Sequence, residues 1–353
     1  NMTSCIFTAN SSLETISNYC FIWAGLTSIT IPDSVSSIGQ NAFYGNQSLT
    51  SCTLPNNNND FKIIPIFCFH YSGLTSITIP NSVISIGKDA FSTTSAMTSC
   101  TFTGTSILAT IGEQSFFYSG LTSITIPNSV TDISLNAFNG TSAMTSCTLP
   151  TNPNFNIINL GCFSSSGLTS INIPDSVTSI GTYAFYNCSA LNDITLHKYP
   201  GDSTSNTVID LDGGSLSNGD YTTNAFDNIK DDVIFTIFTD ETMTISSTVS
   251  SSGSTDAKYS YHIIDGTTSI AADAFKDQTD LLSVVISDSV TEIGNMAFYG
   301  TSNMTSCTFT DNDEFKIIPQ RCFYDSGLTS ITIPNSVTII NLRAFYGCSS
   351  LET

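Results

Sequence analysis

The cysteines are the residues whose spacing most directly points to chemistry. Eleven occur in the chain. Two positions of the repeat change together: coils with Ile at the strand position, such as Ile77, have Ala before the closing Phe, such as Ala90, and other coils have Cys at both. This indicates that the two side chains touch and that their summed volume is roughly conserved. Two interpretations stay open: disulfides formed in an oxidising compartment, or buried thiols acting as small apolar side chains. The pairs are Cys5 with Cys20, Cys52 with Cys68, Cys147 with Cys162, and Cys307 with Cys322.

An acidic, glycine-rich stretch offers oxygen ligands. Asp210, Asp212, Asn218 and Asp220 lie close together in the sequence, and carboxylate and amide oxygens are the ligands that calcium prefers. The stretch lacks the glutamate that completes a calcium-binding loop at its twelfth position. Either a calcium site or a plain solvated loop fits the composition, and no other cofactor is expected. No zinc site is expected either, because there is no C-x-x-C and the three histidines are scattered.

Hydroxyl side chains recur at alternate positions of short apolar segments. In a strand these side chains share one face, and neighbouring strands are about 4.8 Å apart. One interpretation is a solvated β-surface composed of residues that favour strands. The other is a regular hydroxyl array that binds carbohydrate, with Ser123, Thr125, Ser146 and Thr148 as candidate ligand-binding residues.

The sequence has no catalytic motif that we identify but many glycosylation sequons. The chain contains no G-x-S-x-G, H-E-x-x-H, P-loop or dinucleotide fingerprint, so we expect no enzymatic activity. N-x-[ST] sequons are frequent, and we expect N-glycosylation at four of them that precede strands: Asn46, Asn139, Asn187 and Asn303.

The elements that must position these residues are short repeats. Related segments begin at residues 2, 26, 49, 74, 97, 121, 144, 168 and 191, so the repeat is about 24 residues long. A unit of that length cannot bury its own apolar face and must stack on its neighbours. The sequence therefore predicts a solenoid, with each repeat forming one coil.

One coil shows how the pattern works. Ile29 and Ile31 should face the core of a short strand that ends at Pro32, which has no amide to donate. Gly39 is expected to permit a tight bend. Phe43 closes the coil and should fill the core beneath the strands.

The segment 168–191 reads LTSINIPDSVTSIGTYAFYNCSAL, which resembles the BspA-like (Treponema-type) leucine-rich repeats. The resemblance covers about four-fifths of the chain. It implies a right-handed repeat solenoid with a parallel β-sheet on the concave face and short turns or 3-10 segments on the convex side. It also implies an exported or cell-surface protein, often an adhesin.

The pattern divides the chain into four segments. Residues 1–196 are predicted to form a leucine-rich-repeat solenoid, and 197–224 an acidic, Gly/Ser-rich insertion loop that is a first candidate for a specific contact. Degenerate repeats are predicted over 225–280. Regular repeats return over 281–353 and stop within a repeat, which predicts that the chain is part of a longer protein.

Composition limits the partners. The formal net charge is −20, which argues against nucleic acid and anionic membranes as partners, and no apolar run is long enough to span a bilayer. The resemblance to BspA-like repeats leads us to expect a non-catalytic, extracellular or cell-surface scaffold that binds a host protein or a glycan. The alternative is a structural fibre or stalk that assembles end to end through open solenoid ends.

Overall fold

The structure is a computed structural model that describes most of the chain. The described residues are 2–8, 11–56, 60–174, 176–177, 179–196, 234–239, 258–263, 268–279, 281–310 and 313–352. They fall into two compact units, the first running to Leu191 and the second starting at Asn192. Within these ranges the regular structure consists of short strands, and none of the described residues is helical.

The first unit contains fifteen strands. They are β1 (Thr15–Ile16), β2 (Ser28–Thr30), β3 (Ser37–Ile38), β4 (Ser51–Thr53), β5 (Ile63–Ile64), β6 (Ser76–Ile79), β7 (Ser85–Ile86), β8 (Ser99–Phe102), β9 (Thr110–Ile111), β10 (Ser123–Thr125), β11 (Asp132–Ile133), β12 (Ser146–Thr148), β13 (Ile157–Ile158), β14 (Ser170–Ile173) and β15 (Ser179–Ile180). Strands of three or four residues alternate with strands of two, so most coils contribute one of each.

Parallel pairing joins equivalent strands of successive coils. The longer strands β6, β8, β10 and β12 form one sheet in that order, and β5, β7, β9 and β11 form a second. The register pairs equivalent strand positions of neighbouring coils, such as the inward Ile124 with Cys147 and the outward Thr125 with Thr148. This is the predicted parallel-strand solenoid, with Ile and Cys alternating along one column of the core.

A column of phenylalanines fills the core of the first unit. Neighbouring rings are nearly parallel, with interplanar angles of at most 14°, and their centroids lie 5.2–5.5 Å apart. Offset stacking of this kind adds to the stabilisation from buried area. The column confirms the coil-closing role predicted for Phe43, and its members are Phe21, Phe43, Phe69, Phe91, Phe116, Phe138, Phe163 and Phe185.

The second unit repeats this plan with ten strands. They are β16 (Asp193–Leu196), β17 (Ile234–Thr239), β18 (Lys258–Ile263), β19 (Ser269–Ile270), β20 (Leu281–Ile286), β21 (Glu292–Ile293), β22 (Ser306–Phe309), β23 (Ile317–Ile318), β24 (Ser330–Ile331) and β25 (Ile339–Ile340). Strands β16, β17, β18, β20, β22 and β24 are adjacent in one parallel sheet. A second phenylalanine column, with centroids 5.0–5.3 Å apart, runs through Phe275, Phe298, Phe323 and Phe345.

The corner after each two-residue strand uses left-handed backbone. In the coil closed by Phe43, Asn41 has φ +56° and Gly45 has φ +73°. Amides of one corner donate to carbonyls of the next, as from Phe43 N to Cys68 O at 2.9 Å. Gly39 has no positive φ. It is instead a point of close approach, because a Cβ there would lie 2.3 Å from the amide nitrogen of Asn18.

Candidate functional site

The outward side chains of the longer strands form a surface that we call the hydroxyl face. Because side chains alternate along a strand, Ile and Cys point to the core while Ser and Thr point to solvent. Almost all of these hydroxyl-bearing residues are exposed, and Ser99 is half-buried. In the first unit the hydroxyl face comprises Ser28, Thr30, Ser51, Thr53, Ser76, Thr78, Ser99, Thr101, Ser123, Thr125, Ser146 and Thr148.

The four candidate ligand-binding residues lie together on this face. Ser123 pairs in register with Ser146, and Thr125 with Thr148, on the adjacent strands β10 and β12. All four side chains are exposed. Neighbouring hydroxyls on the face come within hydrogen-bond distance, since Thr78 Oγ1 and Thr101 Oγ1 are 3.1 Å apart.

A further row of threonines, not predicted from the sequence, forms hydrogen bonds to the main chain. The Oγ1 of each donates to the main-chain carbonyl of the equivalent residue in the preceding coil, at 3.1–3.4 Å. The only sequence signal was their recurrence just before each hydroxyl-face serine. The donors are Thr27, Thr50, Thr75, Thr98, Thr122, Thr145 and Thr169.

A groove of about 730 Å³ lies on the hydroxyl face at strands β8 and β10. Ser123 and Thr125 line it, while Ser146 and Thr148 lie on the next strand and do not. The half-buried ring of Phe102 supplies an apolar surface, and Asn128 supplies an amide. The groove arises where the strand β8 runs on to Phe102 and the following chain turns away through Gly104, whose φ is +50°.

The groove carries no charge. Its lining consists of Ser, Thr, Asn, Gly, Pro, Cys, Ile and Phe residues, although the whole chain has a net charge of −20. Hydroxyl and amide groups both donate and accept hydrogen bonds. The arrangement therefore suits a neutral, polar partner that itself offers several donors and acceptors.

The structure brings the predicted cysteine pairs into common neighbourhoods. Burial is the main cause of a raised pKa at one thiol of each pair, and the second thiol adds to the shift: Cys5 with Cys20, Cys68 with Cys52, Cys162 with Cys147, and Cys322 with Cys307. Six of these thiols are buried, whereas Cys5 is half-buried and Cys20 exposed. All eleven cysteines are free thiols in the structure, so the four disulfides stay a prediction.

The unpaired cysteines behave differently. Burial alone raises the pKa of Cys100 to about 12. The hydroxyl of Ser115, at the position where other coils carry the second thiol, is buried without a hydrogen-bond partner among the described residues. In the corners, Cys188 Sγ donates to Phe163 O at 3.1 Å and Cys348 Sγ to Phe323 O at 2.9 Å.

The expected glycosylation sites do not share one environment. Asn46 is fully buried, and its amide is occupied by hydrogen bonds to the chain. A glycan on this nitrogen would break those bonds and has no room in the folded coil, so the expectation for Asn46 is corrected. Asn139 is half-buried, and Asn187 and Asn303 are exposed, so these three remain candidates.

The candidate calcium ligands Asp210, Asp212, Asn218 and Asp220 lie outside the described residues, as does the predicted insertion loop 197–224. Over the part of the chain that is described, no group of three or more His, Cys, Asp or Glu side chains could hold a metal ion. A helix long and apolar enough to cross a membrane is likewise absent from the described ranges.

Comparison with known proteins gives a family match. The model of the BspA type leucine rich repeat region matches in six copies, over residues 1–62, 62–192 and 259–353. No curated protein matches the chain at a significant level. The match spans most of the sequence and includes every strand of the first unit.

Several solved structures are similar to the chain. A leucine-rich repeat protein from Bacteroides ovatus is 22% identical with TM-score 0.43, covering 96% of this chain and 81% of that one. A leucine rich cell surface protein from Faecalibacterium prausnitzii is 27% identical with TM-score 0.40, covering 98% and 78%. The pneumococcal vaccine antigen PcpA is 17% identical with TM-score 0.39, covering 90% and 75%.

Proposed function

The chain belongs to the BspA-type leucine-rich repeat family, and from this we propose that it is a recognition scaffold of the cell surface or extracellular space. In this proposal it binds a host protein or a glycan and carries out no catalysis. Within each unit the coiled repeats present equivalent faces on the same side. The hydroxyl face and its groove are the surface that we assign to binding.

The uncharged groove beside Thr125 is the observation that carries this proposal. Small-molecule sites are concave surfaces in which a few polar groups fix orientation around apolar contacts, and one segment of a glycan or of a protein loop can bind in the same way. Phe102 provides such a contact, and Ser123, Thr125 and Asn128 provide hydrogen-bonding groups around it. The groove offers no charged group to pair with an ionic ligand, and the net charge of −20 disfavours anionic ligands.

The number of cysteines supports the extracellular part of the proposal. Eleven cysteines are many for a chain kept in a reducing compartment, and the four neighbouring pairs could be oxidised outside the cell. A test is whether protease added to intact source cells digests the protein while an internal marker survives. Digestion only after lysis would contradict the proposed location.

The binding test fills the groove with a side chain. Immobilised glycans and extracellular matrix proteins would be screened with the wild-type chain. Each ligand that binds saturably would then be titrated with the Thr125→Arg variant, whose affinity should be lower by about tenfold or more. The matched control is Thr308→Arg, an exposed threonine at the equivalent strand position in the second unit. Equal binding by wild type and Thr125→Arg would show that the groove is not the site.

The fibre interpretation gives a different result in the same experiment. A structural stalk predicts no saturable ligand but concentration-dependent end-to-end association, measured by light scattering. Self-association without any ligand would therefore replace the scaffold proposal, and a monomer that binds a ligand would support it.

A further inference from the structure

Three successive corners of the first unit carry a connected set of aromatic side chains away from the hydroxyl face. We call this set the aromatic patch, and it comprises Trp23, Tyr44, Phe67, His70 and Tyr71. Trp23 is 53% exposed and Tyr71 45% exposed. Tyr19, which lies in the corner of Trp23, is also exposed.

The rings are in mutual contact. Trp23 lies edge-on to Tyr44, with centroids 5.5 Å apart, and to Tyr71 at 5.9 Å. His70 stacks on Tyr44 at 4.9 Å and meets Phe67 edge-on at 5.4 Å. Each ring thus limits the rotamers of its neighbours, so the patch is held in shape before any ligand arrives.

Gly45 holds the indole in place. A Cβ at this position would lie 2.4–2.7 Å from three atoms of the Trp23 ring, so only glycine lets the ring pack against the backbone there. Gly45 also has φ +73°, which favours glycine independently. The indole therefore rests on one coil, while more than half of its surface remains accessible.

Packing within the solenoid does not require aromatic residues here. The corner position of Trp23 and Tyr71 is occupied in other coils, with the same left-handed φ, by Thr93, Tyr118, Ser165 and Asn187. The position therefore accepts both small polar and aromatic residues. Clustered exposed aromatics on a soluble surface commonly mark a binding site, and Trp and Tyr are enriched among residues that dominate binding energy.

The patch is also uncharged. The corner segments 19–25, 40–47 and 66–73 contain no Asp, Glu, Lys or Arg, although the chain carries 29 acidic residues. His70 is the one titratable imidazole there, and burial lowers its pKa, against the opposing effect of Asp89. At neutral pH the patch therefore presents neutral rings with polar Tyr, Trp and His edges.

We propose that the aromatic patch is a binding site for a neutral oligosaccharide whose sugar rings stack on Trp23 and Tyr71. A pyranose has an apolar C–H face and a rim of hydroxyls, which match an aromatic face and its polar edge. The centroids of Trp23 and Tyr71 are 5.9 Å apart and their planes meet at 73°, so the two rings offer stacking surfaces of different orientation. This proposal does not depend on the groove at Thr125.

Trp23 gives the test a built-in reporter, because it is the single tryptophan of the chain. Its fluorescence would be titrated with linear β-1,4-glucan, chitin, mannan and lactosamine oligosaccharides, and with sialylated lactosamine as a charged comparison. At least one neutral oligosaccharide should change the emission saturably. Binding of the charged sugar alone, or no change with any sugar, would overturn the proposal.

Variants separate the patch from the rest of the molecule. By calorimetry, Trp23→Ala and Tyr71→Ala should each weaken binding by about tenfold, and Trp23→Phe should retain part of it. Gly45→Ala should also weaken binding, since it displaces the indole without removing a ring atom. Tyr118→Ala, an exposed aromatic at the same corner position outside the patch, and Thr308→Arg, on an exposed strand position of the second unit, should leave it unchanged. Loss in those controls, or none in the patch variants at wild-type melting temperature, would refute the site.

Discussion

The side-chain amide of Asn46 donates a hydrogen bond of 2.6 Å to the main-chain carbonyl of Phe21, in the preceding coil. The same amide donates to Phe43 O at 3.0 Å, and its oxygen accepts from the amides of Gly25 and Leu26 at 3.0 and 3.3 Å. One buried side chain thus satisfies four backbone groups where two coils meet. A buried backbone group left without a partner is costly.

Asn46→Ala should therefore lower the free energy of unfolding by about 2 kcal/mol or more, since each unsatisfied buried group costs about 1–3 kcal/mol. Urea denaturation measures this directly. Gln47→Ala is the matched control, because Gln47 is the exposed neighbour, and it should change the free energy by less than about 0.5 kcal/mol. Similar effects of the two substitutions would mean that the Asn46 bonds contribute little.

The phenylalanine column makes a second prediction about stability. Phe138 is fully buried and stacks on Phe116 and Phe163 at 5.3 and 5.4 Å. Phe138→Ala leaves a cavity and should cost about 3–5 kcal/mol. Thr125→Ala on the exposed face should cost little, within about 0.5 kcal/mol. A small loss for Phe138→Ala in thermal or urea unfolding would contradict a rigid core column.

Much of the fold follows from the sequence because period and alternation are local properties. The strand over Ser28–Thr30, its inward Ile29 and the coil-closing Phe43 are all predicted from one repeat and confirmed by the structure. The site is less predictable. Ser123 and Thr125 follow from alternation, but the groove depends on how the chain leaves β8 beyond Phe102.

The corners show where local reasoning stops. Gly39 is conspicuous in the sequence, yet the left-handed turns are made by Asn41 and Gly45. Asn46 reads as a sequon, and only contact with Phe21 in the preceding coil reveals its structural role. Trp23 likewise carries no motif, since its significance comes from Gly45 and Tyr71 in the next two coils.

Asp89 makes a pH-dependent prediction. Burial raises the pKa of its carboxyl above the ordinary value of 3.8, against the opposing effects of His70, Ser92 and Lys88. A raised pKa in the folded state means that stability is gained as the pH falls through it and lost as the pH rises. Asp89→Asn removes this ionisation, and the equivalent positions Asn41 and Asn136 already carry Asn with similar φ.

Asp89→Asn should therefore be more stable than wild type at pH 7, and the difference should shrink as the pH falls towards 3.8. Urea midpoints measured for both proteins across this range test the sign. The low-pH end serves as an internal control, because the wild-type carboxyl is then protonated. A difference that stays constant with pH, or grows on acidification, would rule out burial of the charge as the cause.

The burial of the cysteine pairs predicts different rates of thiol alkylation in the folded and the unfolded protein. Under native reducing conditions the exposed Cys20 should react with iodoacetamide first, because the thiolate is the reacting species and burial raises the pKa of Cys68, Cys162 and Cys322 well above its usual value. Unfolding in denaturant should make all eleven reactive. Rapid labelling of Cys68 in the folded, reduced protein would contradict its burial.

We further propose that, in protein isolated without reductant from the cells that make it, the four pairs are disulfides. Each would form by loss of two hydrogen atoms to molecular oxygen or a disulfide exchange partner, so the intact non-reduced mass should fall by eight hydrogens and only three thiols should alkylate after unfolding. Cys100 is the internal comparison, since Ser115 stands where its partner would be. Eleven alkylated thiols in non-reduced protein would show that these cysteines serve as apolar core residues instead.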